Sequence, residues 1–151
     1  MTLGRTPSQT VGPFFALGLC REPQNVVVPG GSVQLVGRVL DGAGDPVRDA
    51  VVELWQPGKE GTHWGRCGTD AQGRFEFVTE ESPDGYADVI VFARGLLKHL
   101  VTRCYFGDRE DDVLAALDAA ERETLTAKPE ADSLRFDIQL QGERQTVFFA
   151  V

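Results

Sequence analysis

Residues 32–42 read SVQLVGRVLDG, and from Ser32 onward the chain changes character. Val33, Leu35 and Gly37 alternate with Gln34, Val36 and Arg38, and Val39 and Leu40 follow. A period of two sends successive side chains to opposite faces, so this segment predicts a strand with one face buried. Asp41-Gly42-Ala43-Gly44-Asp45-Pro46 then has the composition of a turn. Ala50–Trp55 (AVVELW) predicts a second strand, stopped by Pro57-Gly58. In GRCGTDAQGRFEFVT, residues 65–79, Asp70–Gly73 is a turn, and Phe75 and Phe77 flank Glu76 where the next strand begins. Short strands divided by Gly, Pro and Asp turns are the pattern of an all-β sandwich.

The reading extends in both directions. Downstream, Tyr86–Phe92 (YADVIVF) and Leu100–Phe106 (LVTRCYF) are further strands. Residues 111–126 form one helical excursion. Asp111 and Asp112 sit at its start, where negative charge suits the dipole, and Val113, Leu114, Leu117 and Ala120 recur at helical spacing. Leu134–Leu140 (LRFDIQL) alternates again, Gln141-Gly142-Glu143 turns the chain, and residues 145–151 are expected as its hairpin partner. Upstream, residues 1–31 hold Pro7, Pro13, Pro23 and Pro29 among five glycines, which excludes long helices and central strands. Val11, Phe14, Phe15, Leu17 and Leu19 nevertheless make this arm apolar, so it is expected to pack on its own domain and on a partner. The division is an irregular arm, 1–31, and a sandwich, 32–151, in a single domain.

Composition narrows the function. Fifteen basic against 23 acidic residues give a net charge of −8, which lacks the basic stripe that nucleic acid or an anionic membrane requires. No apolar run approaches the ~20 residues of a membrane span. The N-terminal residues lack a secretory apolar core, so a cytoplasmic location is expected. Three cysteines without CxxC spacing disfavour a disulfide scaffold and a zinc site. The chain has no P-loop, GxSxG or HExxH motif. His63, in GTHWG, and His99, in LLKHL, are its two histidines, and each reads better as a surface or packing residue than as a ligand. DREDD at 108–112 lacks the spacing and glycine of a calcium loop and reads as a helix start.

Two sets of residues carry a resemblance. VQLVGRVLDGAGDPVRDAVVELWQ…GRCGTDAQGRFEF resembles the transthyretin-like β-sandwich motif, which occurs in carriers as well as enzymes. Thr6–Phe14 (TPSQTVGPF) resembles the N-terminal arm signature of intradiol ring-cleavage dioxygenases. FARGL at 92–96, TRCYF at 102–106, ERETL at 121–125, RFDIQLQGE at 135–143 and TVFF at 146–149 are similar to the alpha subunit of that family's two-chain, protocatechuate-cleaving members.

The resemblance implies a reaction in which 3,4-dihydroxybenzoate (protocatechuate) is opened between its hydroxylated carbons by O2, giving 3-carboxy-cis,cis-muconate. It implies a non-haem Fe(III) cofactor held by two tyrosines and a His-x-His pair. This chain departs from that ligand set: the His-x-His positions fall at Tyr86 and Asp88, and the loop after Trp55 (GKEGTHWG) carries no tyrosine. The implied role is the alpha, non-iron subunit, with the iron held by a partner beta subunit in a hetero-oligomer. The same resemblance places Thr10, Gly12, Pro13 and Arg94 at the rim of the partner's substrate pocket, with no catalytic or metal residue in this chain. The segments after Leu19 and after Trp55 are shorter than in such subunits. Two other readings stand beside it. One is a non-catalytic transthyretin-like binding or structural module. The other is a self-sufficient dioxygenase with ligands among His63, Tyr86, Asp88 and Tyr105.

Overall fold

The alternation that begins at Val33 becomes β1 (Val33–Leu40), whose residues Leu35, Gly37 and Val39 are buried while their neighbours are not. The computed structural model describes residues 4–150. β1 pairs antiparallel with β4 (Arg74–Thr79), which turns Phe75 and Phe77 inward beside Leu35. β7 (Lys128–Glu130), β8 (Ser133–Arg135) and β9 (Ile138–Gln139) complete this sheet in the order β4-β1-β8-β7, with β9 also on β1. The second sheet runs β3-β2-β5-β6, from β2 (Val51–Gly58), β3 (Gly61–Gly68), β5 (Tyr86–Phe92) and β6 (Leu100–Tyr105). The all-β sandwich expected from the alternation is therefore present.

Between the sheets lie Leu35, Val39, Phe77, Val52, Leu54, Val89, Val91, Phe136 and Ile138, each almost fully buried. Burying each such side chain stabilises the fold by roughly 1.5–3 kcal/mol. Gly37 is a site of close approach: a Cβ there would collide with the Phe136 carbonyl and the Phe75 ring. β2 is buried at four successive positions because both of its faces are covered. Val52 and Leu54 enter the core, while Val51 lies on the outer face with Phe92, its register partner.

Several expectations are corrected. β2 continues through Pro57 to Gly58, and GKEGTHWG at 58–65, expected as a loop, instead ends β2 and runs into β3, which forms a hairpin with it. The single helix expected over 111–126 is two short ones, α2 (Asp112–Ala115) and α3 (Ala119–Leu125). Asp118 divides them because it caps α3: its carboxylate accepts from the Glu121 N–H while the Glu121 side chain accepts from the Asp118 N–H. The strand expected over 134–140 is interrupted where the Asp137 carboxylate, instead of the backbone, accepts from the Arg38 N–H at 3.0 Å. Residues 145–150 do not form a hairpin strand with it. After one bond from Thr146 N–H to the Gln139 carbonyl, the chain crosses to the other sheet and Phe149 bonds Val101. Val151, the last residue of that expectation, lies outside the described residues. The arm includes one short helix, whose αR start at Pro13 suits a proline, and this helix (Phe14–Leu19) has no buried residue. Numbered in chain order it precedes α2 and is α1. No helix among the described residues is long and apolar enough to cross a membrane.

Candidate functional site

The outer face of the second sheet is covered at both ends and open in its middle. At one end the arm lies on it: the Phe15 and Phe92 rings are 5.5 Å apart, and Phe92 also stacks near His99. At the other end Tyr105 is fully buried with Leu114 and Leu125 beneath the two short helices. Residues directly opposite in a sheet share a face, so the register places Trp64, Trp55, Asp88 and Arg103 in one row across the open middle. The two indoles are 5.8 Å apart. Glu53, nearly buried, accepts from the Trp55 indole N–H at 3.1 Å and from Arg66 at 2.9 Å.

At the arm end, Thr10 is the hinge of the arrangement. Its hydroxyl donates to the Ala93 carbonyl at 3.4 Å and accepts from the Gly95 N–H at 2.8 Å, and so straddles Arg94. Gly95 has φ +91°, the left-handed region that turns the chain sharply after β5. Arg94 forms a two-pronged pair with Asp49, Nε to Oδ1 at 3.1 Å and Nη2 to Oδ2 at 2.9 Å. Its side chain remains about half open to solvent, at 46% exposure. Gly12 and Pro13 follow Thr10 on the exposed arm. The structure thus gathers Thr10 and Arg94 at one corner, with Gly12 and Pro13 two and three residues along from Thr10.

At the helical end, the Tyr105 hydroxyl donates to Asp111 Oδ2 at 2.7 Å, while Asp111 Oδ1 accepts from the Leu114 N–H and caps α2. Arg103 donates from Nε to Asp88 at 3.1 Å and lies over the Tyr86 ring at 3.7 Å. Burial pushes the Tyr105 phenol up to about 12, while the Arg103 guanidinium pulls it down and the Asp111 carboxylate pushes it up, so burial carries the rise. Asp111 experiences an opposing burial effect, but the Leu114 N–H, the Tyr105 hydroxyl and Arg103 together hold its carboxyl below the usual value.

His63 does not join this face. It pairs with Gln56, whose side chain is buried against Thr79 of the other sheet, so it lies on the side opposite Asp88. The ligand set of His63, Tyr86, Asp88 and Tyr105 is therefore not assembled. Among the described residues no three His, Cys, Asp or Glu side chains cluster as a metal site. Tyr86 and Asp88, which the sequence resemblance aligns with a His-x-His pair, present a phenol and a carboxylate engaged by the Arg103 guanidinium, a set that does not fit a ferric ion. All three cysteines are free; Cys104 is buried, and Cys20 and Cys67 are half-buried.

Sequence reasoning missed Asp49 and the role of Arg103. Asp49 has φ +59°, a conformation that Asp tolerates, but nothing in VRDA points to Arg94 forty-five residues away. Arg103 was within reach: pairing YADVIVF with LVTRCYF as a hairpin with Tyr86 on Tyr105 places Arg103 on Asp88.

Comparisons with known proteins bear on the family and the fold. The protocatechuate 3,4-dioxygenase alpha chain of Burkholderia cepacia is 36% identical over 195 aligned positions, covering 99% of each chain. The corresponding alpha chain of Pseudomonas putida is 32% identical, covering 97% of this chain and 96% of its own. A protocatechuate 3,4-dioxygenase beta chain from Burkholderia cepacia is 29% identical over 159 positions, 78% of this chain and 67% of its own. An alignment of 195 positions exceeds the 151 residues here, so the first relative carries segments that this chain lacks. No family model matches. Among solved structures, the dioxygenase domain of a carbohydrate-binding fusion from Streptomyces sp. SirexAA-E superposes with a TM-score of 0.55 at 19% identity, covering 91% of this chain and 99% of that one. Hydroxyquinol 1,2-dioxygenase from Pseudomonas putida DLL-E4 gives 0.56 at 20% identity, covering 76% and 57%. These two establish likeness of fold.

Proposed function

Because the chain belongs to the protocatechuate 3,4-dioxygenase alpha-chain family, among the intradiol ring-cleavage dioxygenases, we propose that it is the non-iron subunit of a two-chain oxidoreductase. Its partner is a beta chain of the same enzyme, related to it in sequence. The pair opens 3,4-dihydroxybenzoate with O2 to 3-carboxy-cis,cis-muconate. The family's non-haem ferric ion belongs to the beta chain in this reading. Support comes from Tyr86 and Asp88 at the His-x-His positions and from the guanidinium between them and Tyr105.

This chain's contribution is to shape the rim of the partner's pocket. Thr10, Gly12 and Pro13 supply backbone and small side chains, and Arg94 supplies a positive charge for the substrate carboxylate. The observation that carries the reading is the Thr10 hydroxyl bound on both sides of Arg94, which fixes arm and cation as one unit. Asp49 holds the Arg94 fork until a second carboxylate shares it. In this reading residues 1–31 serve both body and partner, residues 32–151 are the single body, and the free thiols and acidic surface suit the cytoplasm.

The test is to produce the chain alone and together with its beta chain, then record iron content, visible spectrum and protocatechuate-dependent O2 uptake. Iron, colour and turnover are expected only in the mixture. Turnover by the lone chain would overturn the reading, as would a stable mixture without iron or activity. The latter outcome would favour the non-catalytic binding module.

A further inference from the structure

At the helical end of the open sheet face, three oxygens supplied by three segments converge on one guanidinium. Across β5 and β6, Tyr86 faces Tyr105 and Asp88 faces Arg103. Arg103 Nε donates to Asp88 Oδ1 at 3.1 Å, and Nη1 donates to the Tyr105 hydroxyl at 3.4 Å. The same Nη1 lies 3.6 Å from Asp111 Oδ2, to which the Tyr105 hydroxyl also donates. The guanidinium lies over Tyr86, with Cζ 3.7 Å from the ring centre. Carboxylate and phenol oxygens are hard donors of the kind that hard metal ions collect. Here the charge that collects them is a side chain of the chain itself.

We propose that Arg103 is a resident cation that stands where this sheet face would otherwise take a metal ion, and that it excludes one by engaging Asp88, Tyr105 and Asp111. The inference deepens the non-iron reading and rests on it for the family's ligand positions, Tyr86 and Asp88. Its physical basis is local. A guanidinium stays protonated throughout the accessible pH range, and its planar fork meets several oxygens while its face covers an aromatic ring. An incoming metal ion would have to displace it against like-charge repulsion at contact distance. A simple surface ion pair would need Asp88 alone. The additional convergence of Tyr105, Tyr86 and the capping carboxylate of α2 describes a small coordination shell built around a cation.

The experiment loads the full chain with ferric ion from a weak chelate, removes unbound metal, and reads iron content and visible absorption. Wild type and Arg103→Lys, which keeps a positive charge, are expected to retain none. Arg103→Ala is expected to retain about one ion per chain with a ferric–phenolate band, and the added Tyr105→Phe change should abolish that band. Circular dichroism and a urea midpoint establish folding, and Arg103→Gln replaces the alanine variant if that one unfolds. Stoichiometric iron in wild type overturns the inference, and so does a folded neutral variant that takes up none. If both neutral variants unfold and ferric ion does not restore them, the inference is overturned too, since a metal then cannot replace the guanidinium. Co-purification with the beta chain separates the two readings. A wild-type complex without iron defeats the proposed function. A wild-type complex with iron, whose Arg103→Ala counterpart holds no more, defeats this inference alone.

Discussion

A Cβ added at Gly12 would meet nothing within 4 Å in this chain, and Gly12 does not have the positive φ that would demand glycine. The intrinsic reason for a glycine there is absent, so any need for it arises from the partner. Gly12→Val should leave the urea midpoint of the lone chain unchanged within about 0.5 kcal/mol, while turnover of the αβ complex falls. Equal turnover would remove Gly12 from the rim. Arg94→Gln tests the other half of that corner. It should raise the KM for protocatechuate about tenfold or more with iron content unaltered, because a charge-assisted contact to the substrate carboxylate is lost. Tyr105 makes a prediction about pH. Its phenol, fully buried, is raised from 10 to about 12, so the folded state keeps a proton that the unfolded chain releases. Stability from this source is complete below pH 10 and is lost between 10 and about 12, by about 2–3 kcal/mol. Unfolding of wild type and Tyr105→Phe across that window should show a shallower alkaline decline in the variant.

At the scale of elements, α3 exists because of its first residues. Asp118 and Glu121 cap each other's backbone N–H groups, and Leu125 at the far end is buried in a cluster with Tyr105. Asp118→Ala should lower stability by about 1 kcal/mol, read as a reduced urea midpoint at constant slope. The same pair explains why the helical segment was legible only in outline. Val113, Leu114, Leu117 and Ala120 keep helical spacing straight through the break, and the Asp-x-x-Glu signal that divides them sits among other acidic residues. Strands over 33–40, 74–79, 86–92 and 100–105 were legible because half their side chains enter the core. β3 was not, since GTHWGRCG presents glycine and polar residues to both faces and is held by pairing with β2. The final crossing was hidden for another reason. Thr146 mimics the start of a hairpin, bonding Gln139 through both its N–H and its hydroxyl, before the chain leaves for Val101.

At the scale of the molecule, one sheet face is divided between an arm and two helices, and the division bears on assembly. Local physics read the arm as apolar and irregular. It could not bring Thr10 to Gly95 or Asp49 to Arg94, because neither contact has a local signature; the family resemblance, not periodicity, singled out Thr10, Gly12, Pro13 and Arg94. What the sequence did show is an arm richer in apolar side chains than the body can cover. α1 anchors through Phe15 on Phe92, yet Phe14 and Leu17 remain 78% and 77% exposed. Two large apolar side chains a helical turn apart, on an element with no buried residue, gain little from the isolated chain's own fold. Covered by a beta chain, they would contribute roughly 1.5 kcal/mol or more each. The double variant Phe14→Asp/Leu17→Asp should therefore leave the lone chain's unfolding midpoint within about 0.5 kcal/mol of wild type. It should weaken αβ association about a hundredfold or more, as about 3 kcal/mol requires. Sedimentation of the mixed chains over a dilution series measures this. An unchanged dissociation constant would place the arm helix outside the interface, and a large loss of stability in the lone chain would mean that α1 belongs to the body of the sandwich rather than to its partner.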